Sequence, residues 1–166
     1  MGRKTSCLAR VAASHAEPSA ARDTHIRDAP RPAAMRVFLA LPDRGLDAEV
    51  ERALRGAMAD AKHDVLADPP AVHAGLAASE RGRFLASVDR MMEADLLLAD
   101  VSEPDAGVGW CVAWFLARGR LVVLTCRRAA RPSLASMLSG NPSPWQRLVV
   151  YDDARELRSS LATALA

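Results

Sequence analysis

Cysteine is scarce in this 166-residue chain, with one residue each at positions 7, 111 and 126. They form no C-x-x-C pair and no metal-ligand spacing with His15, His25, His63 or His73. Neither a disulfide framework nor a zinc site is therefore expected, and no cofactor is implied. Reduced thiols in a cytoplasmic compartment are the expectation. Long apolar runs are also lacking. The longest, Val108 to Ala117, reaches about half the length of a bilayer span and stops at Arg118, so a soluble protein with no membrane partner is expected. Net charge is small, at +2, and unevenly placed. Residues 1–34 carry six Lys/Arg against three Asp/Glu, or +3, which leaves sixteen against seventeen, or −1, for the rest. The basic excess lies in the tail, so the remainder offers no basic nucleic-acid surface.

What is present is enough apolar residue, 50% of the chain, to build one sizeable core without disulfide or metal. Residues 1–34 contribute little to it. They are rich in Ala, Arg, Ser and Pro, lack apolar periodicity, and read as a disordered extension that cannot offset its ordering entropy. Their Arg, Ser and Ala enrichment suits an organellar transit peptide, but Glu17, Asp23 and Asp28 weigh against import. A plain extension, or translation beginning at Met35, is the expectation.

From Met35 onward strand-like and helix-like stretches alternate. Strands are expected at Val37 to Leu41, His63 to Ala67, Leu96 to Val101, Leu121 to Cys126 and Leu148 to Tyr151. Helices are expected at Leu46 to Ala61, about Ser79 to Glu93, Gly107 to Ala117 and Arg155 to Leu165. The first shows Leu46, Val50, Ala53, Leu54, Ala57 and Met58 on one face. The unbroken run Leu96 to Val101 suits a central parallel strand buried on both faces. Strands joined by helical crossovers predict an α/β fold, a doubly wound, Rossmann-like, flavodoxin-type five-stranded parallel sheet flanked by helices, over residues 35–166. Ligands of such sheets bind at the carboxyl ends of the strands where strand order reverses, which points to residues 42–46 and 102–111.

The stretch from Ala94 to Gly109, ADLLLADVSEPDAGVG, resembles the strand and turn of the nucleoside 2-deoxyribosyltransferase and 2'-deoxynucleoside 5'-phosphate N-hydrolase family. Gly107-Val-Gly109-Trp110 is its most specific part. Arg44-Gly45 after the first strand and Leu134 to Gly140 (LASMLSG) extend the resemblance over nearly all of residues 35–166. It implies a nucleoside or nucleotide ligand, a homodimer, for which the apolar helix from Val108 to Leu116 offers a contact surface, and substrate contacts from Arg44, Gly45, Ser87, Gly107, Gly109, Trp110 and Ser136. In this family a glutamate directly after the turn attacks C1' of the sugar and expels the base, chemistry that suits a carboxylate because it stabilises oxocarbenium character.

At that position this chain has Cys111. A second family carboxylate, eight residues before Asp95, corresponds to Ser87. Asp89 lies two positions on, about 200° around a helix, and replaces it only through a register shift. Where the monophosphate hydrolases have a serine, this chain has Asp105, whose charge implies poor acceptance of a 5'-phosphate unless it turns away. Pro42 removes an amide donor from the first loop, while Arg44 retains a guanidinium for an anion.

Each candidate has a structural alternative. Cys111 is a reactive thiol at a helix N-terminus or a small packing residue. Asp105 is a relocated nucleophile or the cap of the following helix. Trp110 stacks on a base or packs in an interface, and Trp114, one turn on, suits an interface better. Ser136 and Ser139 contribute a hydroxyl or are turn residues, and His73 is assigned no role. The functional expectation is a nucleoside- or nucleotide-binding member with lost or altered catalysis. The alternatives are an N-glycosidase that uses Asp105 or Asp89, and a thiol-dependent enzyme at Cys111.

Overall fold

A computed structural model describes residues 34–66 and 79–165. The expected disorder of the N-terminal extension, Cys7, His73 and the end of the second expected strand at Ala67 lie outside the described residues, apart from Ala34. In chain order the elements are β1 (Arg36–Ala40), α1 (Ala48–Asp60), β2 (Asp64–Val65), α2 (Glu80–Glu93), β3 (Leu96–Asp100), α3 (Ala106–Leu116), β4 (Leu121–Arg127), a 3-10 turn (Arg128–Ser133), α4 (Ser136–Ser139), β5 (Gln146–Tyr151) and α5 (Ala154–Leu165).

All strand pairs are parallel, in the order β2-β1-β3-β4-β5. This is the flavodoxin-type order, and it reverses between β1 and β3. Strand β3 is buried along its whole length, as the unbroken apolar run requires. The alternation of side chains sends Leu96 and Leu98 to one face, against Val50, Leu54 and Met58 of α1 and Leu157 and Leu161 of α5. Leu97 and Ala99 go to the other, against Met91 of α2 and Val108, Val112 and Phe115 of α3. The apolar face expected of α1 is buried at Val50, Ala53, Leu54, Ala57 and Met58.

Some boundaries differ from the sequence pattern. Strand β5 begins at Gln146 rather than Leu148, because Gln146 and Arg147 pair with Val122 and Val123 of β4. Backbone pairing at a sheet edge tolerates polar side chains that leave the core, which an apolar run does not reveal. The turn Arg128–Ser133 and helix α4 fill the crossover between β4 and β5, with no apolar periodicity to announce them.

Helix ends are closed by side chains. Asp47 caps α1 by accepting from Glu49 N at 2.8 Å, and Ser79 caps α2 by accepting from Gly82 N at 3.1 Å. At the other end of α2, Arg120 Nη1 donates to the carbonyls of Met91, Met92 and Ala94 at 2.8, 3.0 and 2.7 Å. A guanidinium there satisfies carbonyls that the helix leaves unpaired.

Candidate functional site

The reversal between β1 and β3 opens a cavity of about 630 Å³ at the carboxyl ends of these strands. Leu41 and Asp43 of the first loop, Phe84, Ser87 and Met91 of α2, and the segment from Asp105 to Val108 with Trp110 and Cys111 line it. Of the residues singled out from sequence, Cys111, Asp105, Ser87, Gly107 and Trp110 therefore meet in one place. Positions 87 and 111 are far apart in the chain but come together because α2 and α3 pack on the same face of the sheet.

Other candidates fall elsewhere. Asp89 is exposed and absent from the lining, whereas Ser87, two helical positions earlier, is part of it. Arg44 is exposed and lines neither this cavity nor its neighbour. Gly45 has φ +82, and a Cβ there would meet Glu103 Cγ at 3.0 Å, so its role in the structure is conformational. Gly109 lines a second, more apolar cavity of about 600 Å³ between α3 and residues 130–141, together with Ala113, Leu134, Ala135 and Met137. Ser136 opens α4, is exposed and joins neither lining.

Asp105 is the N-cap of α3. Its Oδ1 accepts from Val108 N at 2.9 Å and its Oδ2 from Asp43 N at 3.3 Å, so one carboxylate ties the loop after β3 to the loop after β1. Gly107 follows from this arrangement, since a Cβ there would lie 3.1 Å from Asp105 Oδ1. Trp110 is 44% exposed and its ring lies 5.5 Å from that of Phe84, which is 52% exposed. Two large rings left open at a cavity mouth form an aromatic surface. Trp114 instead packs on Phe115 at 5.3 Å and carries Arg118 3.7 Å from its ring centroid.

Sequence reasoning missed three features. Arg55 of α1 lines the cavity while paired to Glu51 at 2.9 Å, and its i, i+4 spacing suggests only a surface helix pair. Phe84 lies on a helix with one buried residue, Met91, so its place in the chain gave no sign of a site. Asp100 stands within the apolar run of β3 and is fully buried. A carboxylate in such a run demands partners, and that was the available signal. Asp100 Oδ2 accepts from Tyr151 Oη at 3.0 Å and Thr125 Oγ1 at 2.9 Å, and Oδ1 accepts from Ser102 N at 3.0 Å. Burial, with Asp100 beside it, pushes the Tyr151 hydroxyl up to about 12, so it stays protonated and donates. Ser102 Oγ in turn accepts from Arg127 N at 2.8 Å, and Arg127 reaches Asp47 at 3.1 Å. Among the described residues no group of three His, Cys, Asp or Glu is placed to hold a metal, and no helix is long and apolar enough to cross a membrane.

No protein-family model matches the chain. It is 35% identical over 139 residues to a protein of Thermofilum pendens named 2'-deoxynucleoside 5'-phosphate N-hydrolase 1, an alignment that covers 79% of this chain and 95% of the relative. A protein of the same name from Syntrophotalea carbinolica is 36% identical over 74 residues, 45% of this chain and 51% of that one. Among solved structures, the CMP N-glycosidase of Clostridium botulinum superposes with a TM-score of 0.60 at 17% identity, covering 78% of this chain and 98% of that one. A conserved protein of Enterococcus faecalis V583 superposes with a TM-score of 0.51 at 16% identity, covering 79% and 99%. Both structures share the fold.

Proposed function

Because the chain belongs to the 2'-deoxynucleoside 5'-phosphate N-hydrolase family, we propose that it binds a nucleoside or nucleotide in the cavity at the ends of β1 and β3, with catalysis lost or altered. One observation carries this reading. Cys111 and Ser87 stand together in that cavity, at the two positions where the family resemblance calls for carboxylates. A cavity is present while neither position carries an acid. A thiol or a hydroxyl does not supply the anionic charge that stabilises an oxocarbenium-like centre. The exposed pair Phe84 and Trp110 suits the face of a base, which buries aromatic surface on binding.

An N-glycosidase with a relocated carboxylate has less support. Both oxygens of Asp105 already accept backbone amides, and Asp89 lies off the cavity. The thiol reading of Cys111 has its place at the cavity in its favour and is tested by alkylation below. A homodimer belongs to the same reading. The apolar groove beside α3, with Met137 83% exposed at its edge, is the surface that supports it.

The test is base release by chromatography across deoxynucleosides, ribonucleosides and their 5'-monophosphates, beside a binding titration followed by tryptophan fluorescence. Wild type is expected to bind at least one ligand and release no base. A Cys111→Glu, Ser87→Asp double variant is expected to gain release. Turnover by wild type that vanishes in Asp105→Ala would establish the relocated carboxylate instead.

A further inference from the structure

The hydrogen-bonded network around Asp100 reaches the candidate cavity without entering it. Two loops help to wall that cavity, residues 41–47 after β1 and residues 101–105 after β3. Each loop carries one residue of the network, Asp47 in the first and Ser102 in the second, and neither they nor Arg127 and Tyr151 line the cavity. Ser102 donates its amide to Asp100 Oδ1 at 3.0 Å, and its Oγ accepts from Arg127 N at 2.8 Å. Asp47 accepts from Arg127 Nη2 at 3.1 Å while it caps α1 through Glu49 N at 2.8 Å. Nearer the cavity the two loops meet directly, where Asp43 N donates to Asp105 Oδ2 at 3.3 Å.

Tyr151 closes this network from a distance. It is the chain's one tyrosine, is 1% exposed and stands on the edge strand β5, with β4 between it and β3. Its hydroxyl donates to Asp100 Oδ2 at 3.0 Å, which leaves its own oxygen to accept. Ser102 Oγ lies 3.4 Å away and already accepts from Arg127 N, so the Ser102 hydroxyl hydrogen is the one available to Tyr151 Oη. Donors thus run one way, from Arg127 N through Ser102 and Tyr151 to the carboxylate, which Thr125 Oγ1 also reaches at 2.9 Å. A buried network with every member satisfied is rigid. Removing the tyrosine hydroxyl leaves Ser102 without its acceptor and Asp100 short of one donor, and the start of the loop after β3 loses its fixed position.

We propose that Tyr151 is a positioning residue for the cavity: through Asp100, Ser102 and Arg127 it sets the spacing of the loops after β1 and β3 against each other. The inference rests on the nucleoside- or nucleotide-binding reading above and adds to it a residue that touches no ligand. Coupling of this kind is reciprocal, so a ligand held between the two loops changes the surroundings of the Tyr151 ring.

The experiment combines titration with fluorine NMR on full-length protein, using deoxynucleosides, ribonucleosides and their 5'-monophosphates as probes. Growth on 3-fluorotyrosine gives a single fluorine signal, because position 151 holds the one tyrosine. That signal is expected to move when the tightest-binding probe is added, and to stay still in Ser102→Ala, where the link to the loop is cut. Tyr151→Phe and Ser102→Ala are each expected to weaken binding at least about threefold, and Ser102→Thr, which keeps the hydroxyl, to restore most of it. Leu165→Ala, a core truncation at the far end of α5, controls for stability and is expected to change affinity less than about twofold while the protein remains folded. A still fluorine signal together with wild-type affinity in Tyr151→Phe would overturn the positioning role and leave the binding function intact. So would a loss in Leu165→Ala as large as that in Tyr151→Phe, which would assign the effect to stability alone. Absence of binding by every probe to wild type would sink the binding function, and this inference with it.

Discussion

Asp100 shows how neighbours decide whether a polar group is tolerated in the core. Asp100 is buried among apolar side chains and is tolerable there because Tyr151, Thr125 and Ser102 donate to it. Tyr151→Phe removes one donor and leaves the rest of the packing in place, so a loss of about 1–3 kcal/mol is expected in urea unfolding. A loss below about 0.5 kcal/mol would show that the remaining donors suffice. The two cysteines of the described residues contrast in the same way. Cys126 is fully buried, and burial followed by the charge of Asp100 pushes its thiol up, whereas Cys111 is half-buried and lines the cavity. Native protein treated with iodoacetamide is expected to label Cys111 well before Cys126. Labelling of Cys111 no faster than that of Cys126 by peptide mass spectrometry would end the thiol-dependent reading.

At the level of elements, most of what positions the site depends on how helices are closed. Helix α2 buries only Met91, so its packing holds it weakly, and it carries Phe84 and Ser87 to the cavity. Arg120, in the turn before β4, secures its far end through three carbonyls. Arg120→Ala is expected to cost about 1–3 kcal/mol and to raise hydrogen exchange along α2 more than along α1. Equal exchange in both helices would mean that the clamp is not what orders α2. The periodicity of α1 and the unbroken run of β3 were legible in the sequence because each follows directly from one buried face or two. The start of β5 and helix α4 were not, because Gln146 and Arg147 join through backbone pairing and α4 has no buried residue. The cap role of Asp105 was one of two open readings, and only the position of Asp43 N showed that its second oxygen is engaged as well.

For the whole molecule, the amino ends of β1 and β2 meet at His63, whose Nδ1 accepts from Met35 N at 3.3 Å. Burial holds this imidazole below its ordinary value of 6.5. The folded state therefore binds the proton less readily than the unfolded chain, and stability is expected to decline as pH falls below about 6.5 until the folded value is passed. Thermal unfolding across pH 5 to 8 should show that decline, and His63→Asn should flatten it. A slope unchanged in the variant would assign it to other groups. Assembly is a second property at this scale. Light scattering is expected to give the mass of a dimer, and Ala113→Arg, in the groove beside α3, is expected to give a folded monomer. A wild-type monomer at all accessible concentrations would remove the dimer.

The sequence by itself determined the family, the α/β fold and the parallel sheet, because strand and helix periodicities and the Gly107-Val-Gly109-Trp110 turn are local patterns. It also showed that residues 87 and 111 carry no carboxylate. Only the tertiary structure decided that Ser87 and Cys111 share one cavity, that Asp89 and Arg44 stay outside it, that Arg55 and Phe84 enter it, and that Asp105 spends both oxygens on amides from two loops. The physical reason is that a cavity wall is built from residues distant in sequence, whose orientation depends on how helices rotate against a sheet, and no local pattern encodes that rotation.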